Sequence, residues 1–142
     1  ELDVRVTAYI PDGYIESRSA RMDAYKDIAE IAGEADEEEV RFSLADAYGP
    51  IPEETDNLII IAVVKNLAKE YDVTKITVSK ERSFIEFKNF KTFGDERLKA
   101  ALDAFKNQTR VVMRESPIVE FVNVNGGKEA LKLIRKFLAY KN

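Results

Sequence analysis

Asn125-Gly126-Gly127-Lys128 lies between a strand-like and a helix-like stretch, where glycines followed by lysine could cradle a phosphate. A phosphate loop needs a four-residue gap before its Gly-Lys pair and a serine or threonine after it. Here the gap is missing and Glu129 follows the lysine, so a carboxylate would repel the anion. The stretch reads as a turn and a helix start. Glu37, Glu38 and Glu39 offer oxygens for a hard cation, but consecutive helical residues diverge by about 100° each and cannot converge on one ion. Acidic residues at a helix start instead offset the helix dipole.

The segment from Arg82 to Phe87 is loosely like the aromatic strand of RNA-recognition motifs. It lacks the glycines, and its surroundings read ββα rather than βαβ, so hairpin packing accounts for its phenylalanines. Histidine and cysteine are both absent. That removes the commonest general base, the commonest metal ligand, thiolate chemistry and any disulfide. No catalytic, metal-binding or cofactor-binding residue stands out, and the expectation is an interaction module that needs no cofactor. One stripe has more content. Lys128, Lys132, Arg135 and Lys136 gather on one side of the last helix, opposite Leu131, Ile134 and Leu138. Such a face can contact a phosphate backbone or an acidic protein surface, and a solvated outer face also explains it.

Length and composition bound what positions these groups. A chain of 142 residues, 45% hydrophobic and 34% charged, has the make-up of a soluble globular domain able to bury a core without staples. The longest apolar run, residues 58–64, is far short of the ~20 that a membrane helix requires. No membrane partner is expected, and a cytoplasmic setting fits. The chain opens directly into strand-like sequence, as a domain excised from a longer chain would. Residues 1–72 hold 7 Lys/Arg against 18 Asp/Glu, residues 73–142 hold 15 against 8, and the whole is −4. An acidic helical lobe of about 1–72 and a basic lobe of about 73–142 are therefore expected within one domain.

Alternation over residues 2–8 predicts a strand, and Pro11-Asp12-Gly13 turns the chain. Met22, Tyr25, Ile28, Ala29 and Ala32 predict a helix over 18–32, stopped by Gly33. Asp36 with Glu39 reads as a capping box opening a second helix, whose stripe is Val40, Leu44, Ala47 and Tyr48. Gly49-Pro50 ends it, and Pro52 opens a third helix that is apolar all round near its middle. Beyond residue 73 the pattern repeats. Hairpins at 75–78 with 84–87 and at 110–113 with 118–122 each precede a helix, at 95–106 and 127–140. Ile85-Glu86-Phe87 echoes Val119-Glu120-Phe121 at an offset of about 34 residues, typical of repeat units. The fold class is α+β: an N-terminal strand and three helices packed with a mixed or antiparallel sheet built from two ββα units.

The N-terminal half also carries a series of motifs in order. Ile10-Pro11-Asp12-Gly13-Tyr14-Ile15 precedes Arg21-Met22-Asp23-Ala24-Tyr25-Lys26. Asp46-Ala47-Tyr48-Gly49-Pro50-Ile51-Pro52 follows, then Asn57-Leu58, Leu67-Ala68 and the residues from Val73 to Ile76. This order and spacing resembles the C-terminal domain of bacterial transcription-repair coupling factors over residues 2–76, and thereafter only in the pattern of elements. The resemblance implies a non-catalytic regulatory module of an ATP-driven DNA translocase that displaces stalled RNA polymerase. It implies docking on the UvrB-homology module of the same parent chain, masking UvrA binding until remodelling exposes that surface. The family's interdomain contacts map onto Ser43, Asp46 and Ala47. Asp46 keeps the family's acid, while Ser43 stands in place of a glutamate and Ala47 in place of an arginine. Glu38, Glu39 and Arg41 are neighbouring charges that could serve instead. The alternative is an accessory nucleic-acid-binding domain that uses the basic face of the last helix for non-specific DNA contact.

Overall fold

In chain order the elements are β1 (Leu2–Val4), α1 (Arg18–Ala29), α2 (Glu34–Tyr48), α3 (Glu53–Glu70), β2 (Val73–Val78), β3 (Ser83–Phe87), α4 (Asp95–Ala104), β4 (Thr109–Val112), β5 (Ile118–Phe121) and α5 (Gly127–Leu138). They come from a computed structural model that describes residues 1–141. The chain forms two compact units, one of residues 7–66, the other of residues 1–6 with the chain from 67 onward.

The first unit is helical. Its core gathers Ile10, Ile15, Ala24, Ile28, Ile31, Leu44 and Ile59, with Leu58, Ala62 and Val63 of α3 packed around them. The Ser17 hydroxyl caps α1 by accepting from the Ala20 N–H at 3.2 Å. Only Ala24 and Ile28 of α1 are buried. Met22, expected on the apolar face, is 64% exposed, because a position two residues before Ala24 turns to the opposite side of a helix. The helix ends at Ala29, and Gly33 is not its stop. Gly33 is extended (φ 179°) and precedes α2, which begins two residues earlier than the expected capping box. Asp36 instead reaches back, its carboxylate accepting from the Ala32 N–H at 2.9 Å. Gly49 has a φ of 87°, the left-handed conformation that ends α2 with its N–H bonded to the Ala45 carbonyl. α3 is the single long helix expected after Pro52, whose carbonyl accepts from Thr55 and Asp56.

The second unit is a five-stranded mixed sheet in the order β1-β2-β3-β5-β4. β1 runs parallel to β2; every other pairing is antiparallel. The first strand is shorter than its alternation suggests. The Arg5 N–H still bonds Val78, but the Thr7 carbonyl accepts from Asn57 and the Tyr9 N–H donates to Glu54, so the ladder stops.

The duplicated pattern has a structural counterpart. Ile85 pairs directly with Val119, its own equivalent 34 residues on, and the neighbouring pairs run symmetrically outward from there. The two hairpins thus meet about a local two-fold at that pair. Each following helix is preceded by a glycine of positive φ, Gly94 at 94° and Gly126 at 89°. α5 buries Ala130, Leu131, Leu133, Ile134, Phe137 and Leu138. Phe137 stacks on Phe93 at 5.7 Å, meets Phe121 edge-on at 5.7 Å and lies tilted against Phe105 at 6.2 Å. The Arg97 guanidinium lies 4.2 Å from both the Tyr71 and Phe93 rings and donates to the Leu138 and Tyr140 carbonyls, closing the end of α5. Gly127 is required for space: a Cβ there would come within 2.9 Å of Val6.

Candidate functional site

α2 presents most of the candidate docking residues. Glu39, Phe42, Ser43 and Asp46 follow one another at helical spacing and all are exposed, with Glu38 beside them. Phe42 is 70% exposed in the middle of this acidic stripe. Sequence periodicity placed Val40, Leu44, Ala47 and Tyr48 inward; Leu44 is buried and Val40 half-buried, but Ala47 and Tyr48 are exposed. It did not single out Phe42, although its lying off that stripe was the available signal. Ala47 is exposed at the edge of the face.

Glu39 and Ser43 also line a groove of ≈410 Å³, together with Asp27, Glu30 and Asp36, above Ala24 and Leu44. Four carboxylates thus border a partly apolar floor between α1 and α2. Among the described residues no group of three or more His, Cys, Asp or Glu is placed to hold a metal ion. The groove suits a cationic side chain with an apolar stem better than a hard cation.

Arg41 is differently placed. Its guanidinium donates to Glu37 at 2.9 Å and to Asp56 of α3 at 2.8 Å, within the helical unit. Burial works against its charge, but the hydrogen bonds and fields of Glu37 and Asp56 outweigh it and hold its pKa above the usual arginine value. Glu37, at 7% exposure, is the one buried charged residue among the described residues. Asp56 did not stand out in the sequence, because its pairing with Arg41 joins two helices.

Tyr14 locks the far end of α2. Its hydroxyl is placed to donate to the carbonyls of Gly49 at 2.8 Å and Leu44 at 3.1 Å, and its ring meets Tyr48 edge-on at 5.7 Å. Burial first, then the neighbouring Tyr48, raises the Tyr14 pKa above the ordinary tyrosine value. The native state therefore holds this proton more tightly than the unfolded chain. Its stabilisation is complete below about pH 10 and is lost as pH rises through the higher native value. The urea midpoint of the wild type should fall more steeply between about pH 9 and 11 than that of Tyr14→Phe, which has no phenol to ionise there.

On α5 the structure leaves Lys132 and Lys136 exposed, with Lys128 and Arg135 half-buried along the same helix. Leu131, Ile134 and Leu138 are fully buried opposite them. No helix among the described residues is long and apolar enough to cross a membrane.

The profile of the TRCF domain matches residues 4–98, from the last residue of β1 into α4. The chain belongs to the TRCF domain family. It is 30% identical over 109 residues to the transcription-repair-coupling factor of Borreliella burgdorferi, an alignment covering 75% of this chain and 10% of that protein. With the corresponding factor of Buchnera aphidicola it shares 28% identity over 123 residues, 86% of this chain and 15% of the relative. The chain therefore spans only about a tenth to a seventh of the length of these relatives. A crystal structure of a C-terminal domain of transcription-repair coupling factor superposes with a TM-score of 0.81, covering 97% of this chain and 90% of that one at 23% identity. The likeness establishes the α+β fold, five helices with a mixed sheet. The TRCF profile takes in all of α2 and the β2–β3 hairpin, and ends within the first turn of α4, before the second ββα unit.

Proposed function

We propose that this TRCF domain is a non-catalytic regulatory module that docks on the UvrB-homology module of its parent chain and masks UvrA binding. ATP-driven DNA translocation belongs, on this reading, to the rest of that cytoplasmic parent protein. The observation that carries the proposal is the exposed α2 face, where Phe42 stands among Glu38, Glu39, Ser43 and Asp46. A large aromatic side chain rimmed by charge has the anatomy of an interface anchor. The acidic rim suits a basic partner surface and would speed and orient the encounter. Ala47 removes a charge from the edge of this face and Ser43 replaces another, so Asp46, Glu38 and Glu39 carry the electrostatic part. Arg41 contributes by holding α2 against α3.

Binding in trans to the isolated UvrB-homology module tests this directly. Calorimetry should detect association at low salt that weakens as salt screens the acidic rim. Phe42→Ala should weaken it by about 30-fold, the size of a hot-spot loss, and Asp46→Lys should weaken it further in low salt than in high. Absence of association at low salt, or unchanged affinity in both variants, would remove the proposal.

A further inference from the structure

We infer that a cleft at one end of the sheet binds the sugar-phosphate backbone of nucleic acid without regard to sequence. The cleft, ≈470 Å³, lies within the sheet unit and does not involve α2. Arg5 after β1, Lys80 and Arg82 in the β2–β3 turn, and Arg110 on β4 all line it. Glu81 and Glu120 are the acidic groups in the lining, which leaves the cleft net positive in a chain that is net negative. Glu120 serves two guanidiniums at once, Arg110 directly and Arg82 at 3.5 Å, and each arginine side chain is still more than half exposed. The Arg82 guanidinium is further steadied 4.5 Å above the Phe84 ring. Arg5 reaches only Asp3, at 3.6 Å and largely in solvent, and Lys80 makes no ion pair among the described residues.

Two features choose a polyanion over an acidic protein segment. A protein partner needs an apolar anchor, and none of the exposed large hydrophobic side chains lines the cleft; its one phenylalanine, Phe121, is buried beneath it. The cations also continue beyond the cleft. α5 begins at its wall with Gly127 and carries exposed Lys132 and Lys136 away from it, one helical turn or about 6 Å apart. A small anion would use the cleft alone, whereas a strand carrying a charge every ~3.4 Å meets both. The lining presents guanidinium and ammonium groups suited to phosphate and nothing arranged to read base edges.

Fluorescence anisotropy of the 142-residue chain with a short labelled oligonucleotide, single-stranded and duplex, tests the inference. Binding of both forms in the micromolar to sub-millimolar range typical of non-specific association is expected, independent of sequence and steeply weakened between about 50 and 200 mM salt. Arg5→Glu with Lys80→Glu, at side chains that support no other part of the fold, should lower affinity about 10-fold and flatten the log–log salt slope by roughly 1.5. Lys132→Glu with Lys136→Glu should do the same from the other end of the track, with the urea midpoint of both variants unchanged. No binding at low salt, a slope that ignores the cleft substitutions, or equally tight binding of polyglutamate would each overturn it. Because α2 is untouched, association with the UvrB-homology module should be unaffected in the same variants, which separates this result from the fate of the docking proposal.

Discussion

Replacing Phe137 with alanine is expected to destabilise the sheet unit by about 3–5 kcal/mol, the largest effect of any single truncation considered. The ring is fully buried and touches Phe93, Phe105 and Phe121, aromatic side chains from three separate segments. Its removal forfeits burial, leaves a cavity that a helix and a sheet cannot both close, and frees Phe93 from its stacked partner. A loss of that size is a large part of the stability of an ordinary domain, so urea unfolding should show a greatly lowered midpoint or no cooperative transition. Phe137→Leu, which keeps most of the volume, should retain cooperative unfolding. If the alanine variant unfolds like the wild type, the aromatic cluster does not organise this unit.

Arg41→Ala comes second, at about 2–4 kcal/mol. The substitution removes the cation shared by Glu37 and Asp56 and leaves the buried Glu37 facing a like charge. Breaking a buried pair by deleting one partner costs more than the pair contributes, because the remaining charge keeps its desolvation cost and loses the cation that offset it. Partial exposure of Arg41, at 29%, places the estimate below the fully buried case. Arg41→Ala combined with Glu37→Gln should recover part of the loss, since the repulsion is then relieved. Urea midpoints of the two variants and the wild type decide this; an Arg41→Ala value within error of wild type would show that the bridge between α2 and α3 is ornamental.

The sequence made the elements legible for identifiable reasons. Periods of two and of 3.6 mark the strands and the helices in turn, and Gly49, Gly94 and Pro52 fall where their backbones demand them. The internal echo at 34 residues was readable because side-chain alternation and spacing repeat together, and the Ile85–Val119 pair is its physical expression. What local pattern could not supply was convergence. Arg5 and Arg110 share a cleft only because β1 joins β2 at one side of the sheet and β4 joins β5 at the other end of the order. Arg41 looked like a free surface cation because its second partner, Asp56, lies on another helix. Phe42 was passed over because the periodic stripe points to what is buried, and its one signal is that an apolar residue lies off that stripe. The acidic groove likewise needed two helices side by side before Asp27 and Glu30 could be set against Asp36 and Glu39.

The parallel pairing of β1 with β2 has a consequence for how the polypeptide is made. Leu2 aligns with Ile76, so sixty intervening residues, 7–66, must leave the ribosome before the first strand can find its neighbour. Those residues have their own hydrophobic nucleus, which lets them condense during synthesis while β1 waits for its partner. Assembly of the sheet is thereby postponed further, because β5, which pairs with the central β3, follows it only after α4 and β4.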